Sequence, residues 1–507
     1  MVKMPKSRLE IVVETIISKG TIQVKDAAWR FLRSESGRAE AEMIHVSHQS
    51  QLDIIARLGK IKGEDLAEYK TQEILKDIQK ILSDMLSDCE QLATTMVTAN
   101  ILSGKIGSLV RVNLKGQQLL SAVSLKDSDR QRITRLVDQI VGRLQSGASL
   151  TLASVKNMLQ VTAIRANMAP TIKPVPESKD KKDSETIKQE PVTNSFVAEK
   201  IDISKPRRKY KQSLPTSKEI LNIKSDPLSF VKQSATRNVT LINNLRSAYF
   251  RPKDSPIDSA KQREEALKEI NSSPAAKAVF DMNEMIRKQG LAAFTDKGGR
   301  RWSLESYCAM TTRTTASQSS NLGEVFADEE HDLYYIVPHG SSCPICSKYE
   351  GRVYSRSGTN PNYPPLASVF GKIDPNGSND LDNTYMSIHP NCRHKIVKYV
   401  EQSHTKAQQE KIQRESNKPF EIDEKKKKEI EAYKKREKVQ NDRLAAMREF
   451  QTYLQVMPPK DVCGNFIRFY EHKKKNDLVY KEVKRKYNEI LNQKKMKKNE
   501  KKSLHKS

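Results

Sequence analysis

Two short thiol-bearing turns set the strongest constraint on how this chain can fold. Cys343-Pro344-Ile345-Cys346 and His389-Pro390-Asn391-Cys392-Arg393-His394 are separated by 42 intervening residues. C-x2-C with H-x2-C supplies three thiols and one imidazole, the donor set of a closed, tetrahedral structural zinc site. If Cys343, Cys346, His389 and Cys392 hold one ion, two distant loops must meet. Each loop lies beside a stretch that reads as strand: Leu333 to Val337, Arg352 to Tyr354 and Lys395 to Val400. A small sheet can therefore hold the loops together. His339 and His394 are close enough in sequence to substitute for a ligand or to support one. Softness and geometry favour zinc over magnesium or calcium. Other readings are cysteines in turns without metal, and a redox C-x-x-C, which lacks a helix start or βαβ pattern after it. A metal-dependent nuclease acting on DNA would use His389, Asn391 and His394, but no second His with an acidic partner stands ready to activate water.

The remaining cysteines, Cys89, Cys308 and Cys463, are scattered. This is not a disulfide framework and suits a reducing compartment. Of 507 residues, 89 are Lys or Arg and 62 are Asp or Glu, a net charge of +27. Hydrophobic residues make up only 36%, which points to linker and exposed helix beside the core. No apolar run approaches a membrane span, and the first residues carry no long apolar segment of a signal peptide. The positive excess favours a place beside a polyanion, most simply nucleic acid. No phosphate-binding loop, dinucleotide fingerprint or nucleophile elbow occurs, so neither an enzyme nor a small-molecule substrate is expected.

The expected fold class is α+β and predominantly helical, in four parts. Residues 1–168 form a helical N-terminal block. From Glu64 to Ala99, Leu66, Tyr69, Ile74, Leu75, Ile78, Ile81, Leu82, Met85, Leu86, Cys89, Leu92 and Met96 recur at three- and four-residue steps, one helical face. A second helix starts at a Ser128/Gln131 capping box and stops at Gly147; a third runs from Leu150 to Asn167. Such stripes bury in an intramolecular core or in an oligomerising coiled coil. Residues 169–236, rich in proline and charge, read as a flexible linker. Its cluster Lys205, Arg207, Arg208, Lys209 and Lys211 is either a nucleic-acid contact or a solvated stretch. Residues 237–400 form the small β-containing zinc-knuckle module. Here Ser273, Pro274 and Gly290 punctuate one helix, Phe294 to Trp302 makes a tight turn, and Ser303 caps a helix carrying Leu304, Tyr307 and Cys308. Residues 401–507 form a charged helical tail with 30 Lys+Arg against 17 Asp+Glu. Its lysine runs, such as Lys425 to Lys428, read as solvated.

The ordered string in 237–400 resembles a known family. Phe294-Thr295-Asp296 with Gly299-Arg300-Arg301-Trp302, then Tyr307, then Met310-Thr311-Thr312-Arg313-Thr314 is followed by His339-Gly340, the C-P-I-C turn and Glu350-Gly351-Arg352-Val353-Tyr354-Ser355. With the closing His389-Pro390-Asn391-Cys392-Arg393-His394, this is similar to the tailed-phage minor capsid proteins of the head-morphogenesis, Mu F-like superfamily, minor capsid protein 2 type. The likeness covers about residues 240–490. It singles out Gly299, Arg301, Trp302, Tyr307, Arg313, Gly351 and Ser355 as motif residues with structural roles. It implies a non-enzymatic virion component, associated with the portal and other capsid proteins on the inside of the phage head. Such a protein assists head assembly, and DNA packaging or ejection, after a period in the host cytoplasm during assembly. Packaged DNA would be met by non-specific electrostatics. The competing class is a non-viral basic nucleic-acid-binding protein.

Overall fold

A computed structural model describes residues 6–18, 22–109, 116–167, 223, 226–250, 273–295, 301–338, 343–421, 424–454 and 457–490. It is mostly helical, with one three-stranded antiparallel sheet. Helices α1 (Arg8–Ile17), α2 (Ile22–Gly59), α3 (Glu68–Leu109), α4 (Gly116–Val123) and α5 (Asp127–Asn167) come first. They are joined by α6 (Pro227–Phe250), α7 (Pro274–Gln289) and α8 (Leu304–Phe326). Helices α2, α3 and α5 have 38, 42 and 41 residues, so at 1.5 Å per residue each is roughly 60 Å long. One apolar core runs through this bundle, from Leu9 and Val12 through Ile78, Leu82 and Leu92 to Val231, Met282, Leu304 and Cys308. Segments on both sides of residues 169–236 therefore share a single core. Those residues lie largely outside the described ones, including Lys205, Arg207, Arg208, Lys209 and Lys211; from Pro227 the chain is already helix. No helix among the described residues is long and apolar enough to cross a membrane.

From Ile74 onward the stripe of α3 packs inward on α2, α5 and α8, the intramolecular alternative for such a pattern; Tyr69, in the first turn of the helix, is exposed instead. The expected stop at Gly147 is not one. Helix α5 runs unbroken from Asp127 to Asn167. A Cβ at Gly147 would meet the Tyr307 ring at 2.6 Å. This glycine is a packing residue that admits an aromatic ring, and its helix-ending signal is overridden by contacts along 41 residues.

Charge is also buried in the bundle. Arg38 is fully buried, with Nη2 at 2.9 Å from Glu35 and Nη1 at 2.6 Å from Glu42. Burial works against its charge, but the two carboxylates outweigh it and raise its pKa. Asn238 of α6 donates to Glu35 at 2.7 Å and so ties α6 to α2. Removing one member of such a set strands the others without water. Arg38→Met is expected to cost about 3–5 kcal/mol in urea unfolding of the full chain. A loss under about 1 kcal/mol would show that Glu35 and Glu42 escape to solvent.

Helix α7 begins as its sequence demands, with Ser273 accepting from the Ala276 N–H at 3.1 Å, and ends at Gly290 with φ 72°. Strands β1 (Phe294–Thr295) and β2 (Arg301–Trp302) pair antiparallel, Phe294 opposite Trp302. Trp302 stacks on Phe294, and Tyr307 meets both rings edge-on. Helix α8 then leaves the bundle core at Leu304 and Cys308 and enters a second core at Val325. That second core lies under the sheet of β3 (Leu333–Ile336), β4 (Val353–Ser355) and β5 (Ile396–Lys398), ordered β4-β3-β5. The three strands lie within a residue or two of the expected spans.

Beyond the sheet come α9 (Lys406–Asn417), α10 (Glu424–Leu454), α11 (Phe466–Lys475) and a helix through residues 478–490. Lys425, Lys427 and Lys428 are exposed, as a solvated run should be. The far end differs from a bare charged tail. Phe450, Tyr453, Phe466 and Phe469 build a small core of their own with Tyr480 and Tyr487. Glu449 sits beside it and accepts from Tyr453 Oη at 2.6 Å and Tyr480 Oη at 2.7 Å. A few aromatics supply enough buried area for a helical hairpin in spite of the charge around them.

Candidate metal centre

The first half-site is a tight turn. The Cys346 N–H donates to Cys343 Sγ at 3.4 Å, and the Ser347 N–H to the Cys343 carbonyl at 3.0 Å. The second turns at Asn391, whose φ of 65° suits the short polar side chain; there the Cys392 N–H donates to the His389 carbonyl at 3.0 Å. The sheet brings the two turns together. Among the described residues, candidate ligand atoms fall into two groups, each mutually within 4.8 Å: Cys343, Cys346 and His389, and Cys346, Cys392 and His394. Cys346 belongs to both. Its Sγ lies 3.2 Å from Cys343 Sγ, 3.8 Å from Cys392 Sγ and 2.8 Å from His389 Nε2. All three thiols are free and buried. His389 Nδ1–H donates to the Pro390 carbonyl at 2.7 Å, which leaves Nε2 facing the sulfurs.

His394, placed in sequence as a substitute or support, is buried in this cluster. Its Nδ1 lies 3.3 Å from Cys392 Sγ, and its Nε2 meets the Glu350 carboxylate. His339 and Gly299 lie outside the described residues. A hydrogen bond from Cys346 pushes the Cys392 thiol down, against burial and with help from His394. Cys346 is pushed upward by the same contact with Cys392 and by burial. Burial opposes charge on His394, yet Cys392 and Glu350 lift it to about 9. Three crowded thiols and two imidazoles, soft and shielded, can hold a metal ion, and the set is compatible with zinc. Elsewhere burial raises Cys308 to about 12 and pushes Cys89 up. Those two are packing residues of the bundle.

One face of α8 fastens the second half-site. Thr314, Ser317, Asn321 and Glu324 recur at steps of three and four, a single helical stripe. Thr314 Oγ1 accepts from the Asn391 N–H at 3.0 Å, and Ser317 Oγ donates to the His394 carbonyl at 3.4 Å. Asn321 Nδ2 donates to the carbonyls of Met386 (2.9 Å) and His394 (3.3 Å), while its Oδ1 accepts from the Ile396 N–H (3.3 Å). Glu324 accepts from the Lys398 N–H at 3.1 Å. These side chains satisfy backbone groups of the irregular segment before β5 and of the open edge of β5 itself. Asn321→Ala strands several buried groups at once and is expected to cost about 2–4 kcal/mol and to weaken metal retention. A variant with unchanged unfolding midpoint and metal content would refute this role.

The other motif residues have plain placements. Arg313 Nε and Arg393 Nη2 approach Glu40 of α2 at 3.7 and 3.5 Å, joining α2, α8 and the loop of the second half-site. Gly351, with φ 74°, turns the chain into β4, and its N–H reaches the Ile336 carbonyl at 2.9 Å. Ser355 is buried and donates to Asp332 at 2.8 Å. Trp302 and Tyr307 belong to the aromatic cluster, and of Arg301 the backbone in β2 is described. Sequence reasoning passed over Glu350, Asn321 and Glu324. Only Glu350 had a signal, its place in the motif after the C-P-I-C turn.

A thiol–imidazole cluster strapped to one helix of a large bundle defines an architectural element. Residues 130–449 match the family model described as phage minor capsid protein 2. That span is well over half of the chain and takes in α8, the sheet and the whole cluster, so this chain belongs to the phage minor capsid protein 2 family. It is also similar to a protein described as "Structural protein" from Lactococcus phage LL-H, 28% identical over 132 residues, 24% of this chain and 33% of the relative. The chain thus matches about a third of that relative's length. No solved structure matches it.

Proposed function

We propose that this structural minor capsid protein sits at the portal on the inside of the phage head. There it assists head assembly, and DNA packaging or ejection, without catalysing a reaction. The observation that carries this reading is the family match over residues 130–449, whose span includes the Cys/His cluster and the α8 stripe that holds it. Cys343, Cys346, His389 and Cys392 would hold one structural zinc, which supplies a cross-link between two loops. Lys-rich segments, including Lys205 to Lys211 and the stretch after residue 400, face packaged DNA through its phosphates; the net charge of +27 supports this. Mass spectrometry of purified proheads and virions tests the placement, with cross-linking to the portal as the finer measure. Presence at low copy with portal cross-links is expected; absence from both particles would sink the proposal.

A further inference from the structure

We propose that Glu350 is a positioning residue of the metal centre, acting through His394 on Cys392. Glu350 follows the first half-site by four residues, and its side chain is fully buried. It reaches across to His394 Nε2 on the second half-site. It therefore links the two turns from outside the donor cluster. Its placement is built in: Gly351 turns sharply beside it, with the Gly351 N–H on Ile336. The far side of His394 is equally held, since its carbonyl takes hydrogen bonds from Ser317 and Asn321.

The consequence follows from donor chemistry. An ionised carboxylate only accepts, so the Nε2 position facing Glu350 must carry the hydrogen. The ring is thereby oriented, and Nδ1 is aimed at Cys392 Sγ, 3.3 Å away. Whether Nδ1 binds the ion or donates to the thiolate, it fixes where that sulfur sits. Outer carboxylates of this kind change metal affinity by about 10–100-fold when removed.

This inference rests on the metal-centre reading above, and the experiment separates the two. Metal-stripped full-length chain is titrated with Zn2+, and separately Co2+, against a chromophoric chelator. Wild type is expected to bind about one ion per chain. Glu350→Gln should bind about tenfold more weakly and Glu350→Ala up to about a hundredfold, with the thiolate–cobalt absorption band altered. Glu350→Asp should recover part of the affinity, which guards against a folding defect, and circular dichroism reports helix content throughout. A Glu350→Gln/His394→Gln double variant should be no weaker than His394→Gln alone. Wild-type affinity in both Glu350→Gln and Glu350→Ala overturns the proposal, and so do losses that add in the double variant. A wild-type chain that takes up no metal overturns the metal-centre reading and this inference with it.

Discussion

Cys346→Ser is expected to empty the metal centre and unfold the segment around the sheet, while most of the helical signal survives. Cys346 is the one thiol common to both donor groups. A serine hydroxyl is a poor ligand for a soft, thiolate-bound ion. Because binding energy of a structural zinc is folding energy, of order 10–16 kcal/mol in small zinc-binding peptides at pH 7, its loss should exceed the stability of a small sheet whose strands have only three or four residues. The bundle has its own core, from Leu9 to Cys308, which contains none of the cluster thiols. The expected record is loss of bound metal, rapid proteolysis between residues 343 and 398, and a protected fragment spanning the bundle. A strong chelator should reproduce this pattern on the wild type. Cys463→Ser, in the separate aromatic hairpin, should leave metal content untouched. Retention of stoichiometric metal by Cys346→Ser would refute the assignment.

Gly323→Ala is expected to destabilise the bundle by about 3 kcal/mol, at the upper end for an added methyl. The reason is backbone on backbone. A Cβ on Gly323 of α8 would lie 2.4 Å from the Ile101 carbonyl oxygen and 2.8 Å from Ile101 Cα on α3. Gly104 of α3 is the reciprocal residue, with a Cβ 2.8 Å from the Ser320 carbonyl and the Glu324 nitrogen. No flexible side chain can give way, so the helices must separate, and the core loses contacts along both. The same displacement should loosen the metal loop, because Asn321 and Glu324 flank Gly323 and hold that loop. Gly104→Ala should behave alike, and the pair should be non-additive because the sites share one crossing. Gly142→Ala is the control of opposite sign. Nothing lies within 4 Å of a Cβ there, so alanine should stabilise α5 by about 0.5–1 kcal/mol through helix propensity. Urea midpoints for these variants decide the matter. A Gly323→Ala midpoint equal to wild type would mean that the two helices do not cross this closely.

The α3 stripe, the Ser273 and Ser303 caps and the three strands were legible because each is a local pattern with a known period or cap. The two halves of the Cys/His cluster were legible because thiols at knuckle spacing are chemically conspicuous. Gly147 was misread as a stop because one glycine serves both as helix terminator and as a seat for an aromatic ring. The polar stripe of α8 was silent for a similar reason. Thr314, Ser317, Asn321 and Glu324 are polar residues whose local sequence gives no sign of the backbone groups they fasten, because those groups lie 65–77 residues away in the chain. The aromatic hairpin after residue 446 was masked by the charge surrounding it.

The sequence by itself determined the helical class, the net charge and the soft donor set, since periodicity, ionisation and ligand softness are properties of residues and near neighbours. The tertiary structure alone decided that residues on both sides of 169–236 share one core and that Cys346 is the pivot of the cluster. It alone placed Glu350 behind His394, and Gly104 against Gly323. Each of these is a contact between chain segments far apart in sequence, set by the shape in which a whole bundle excludes water, and no local pattern encodes it.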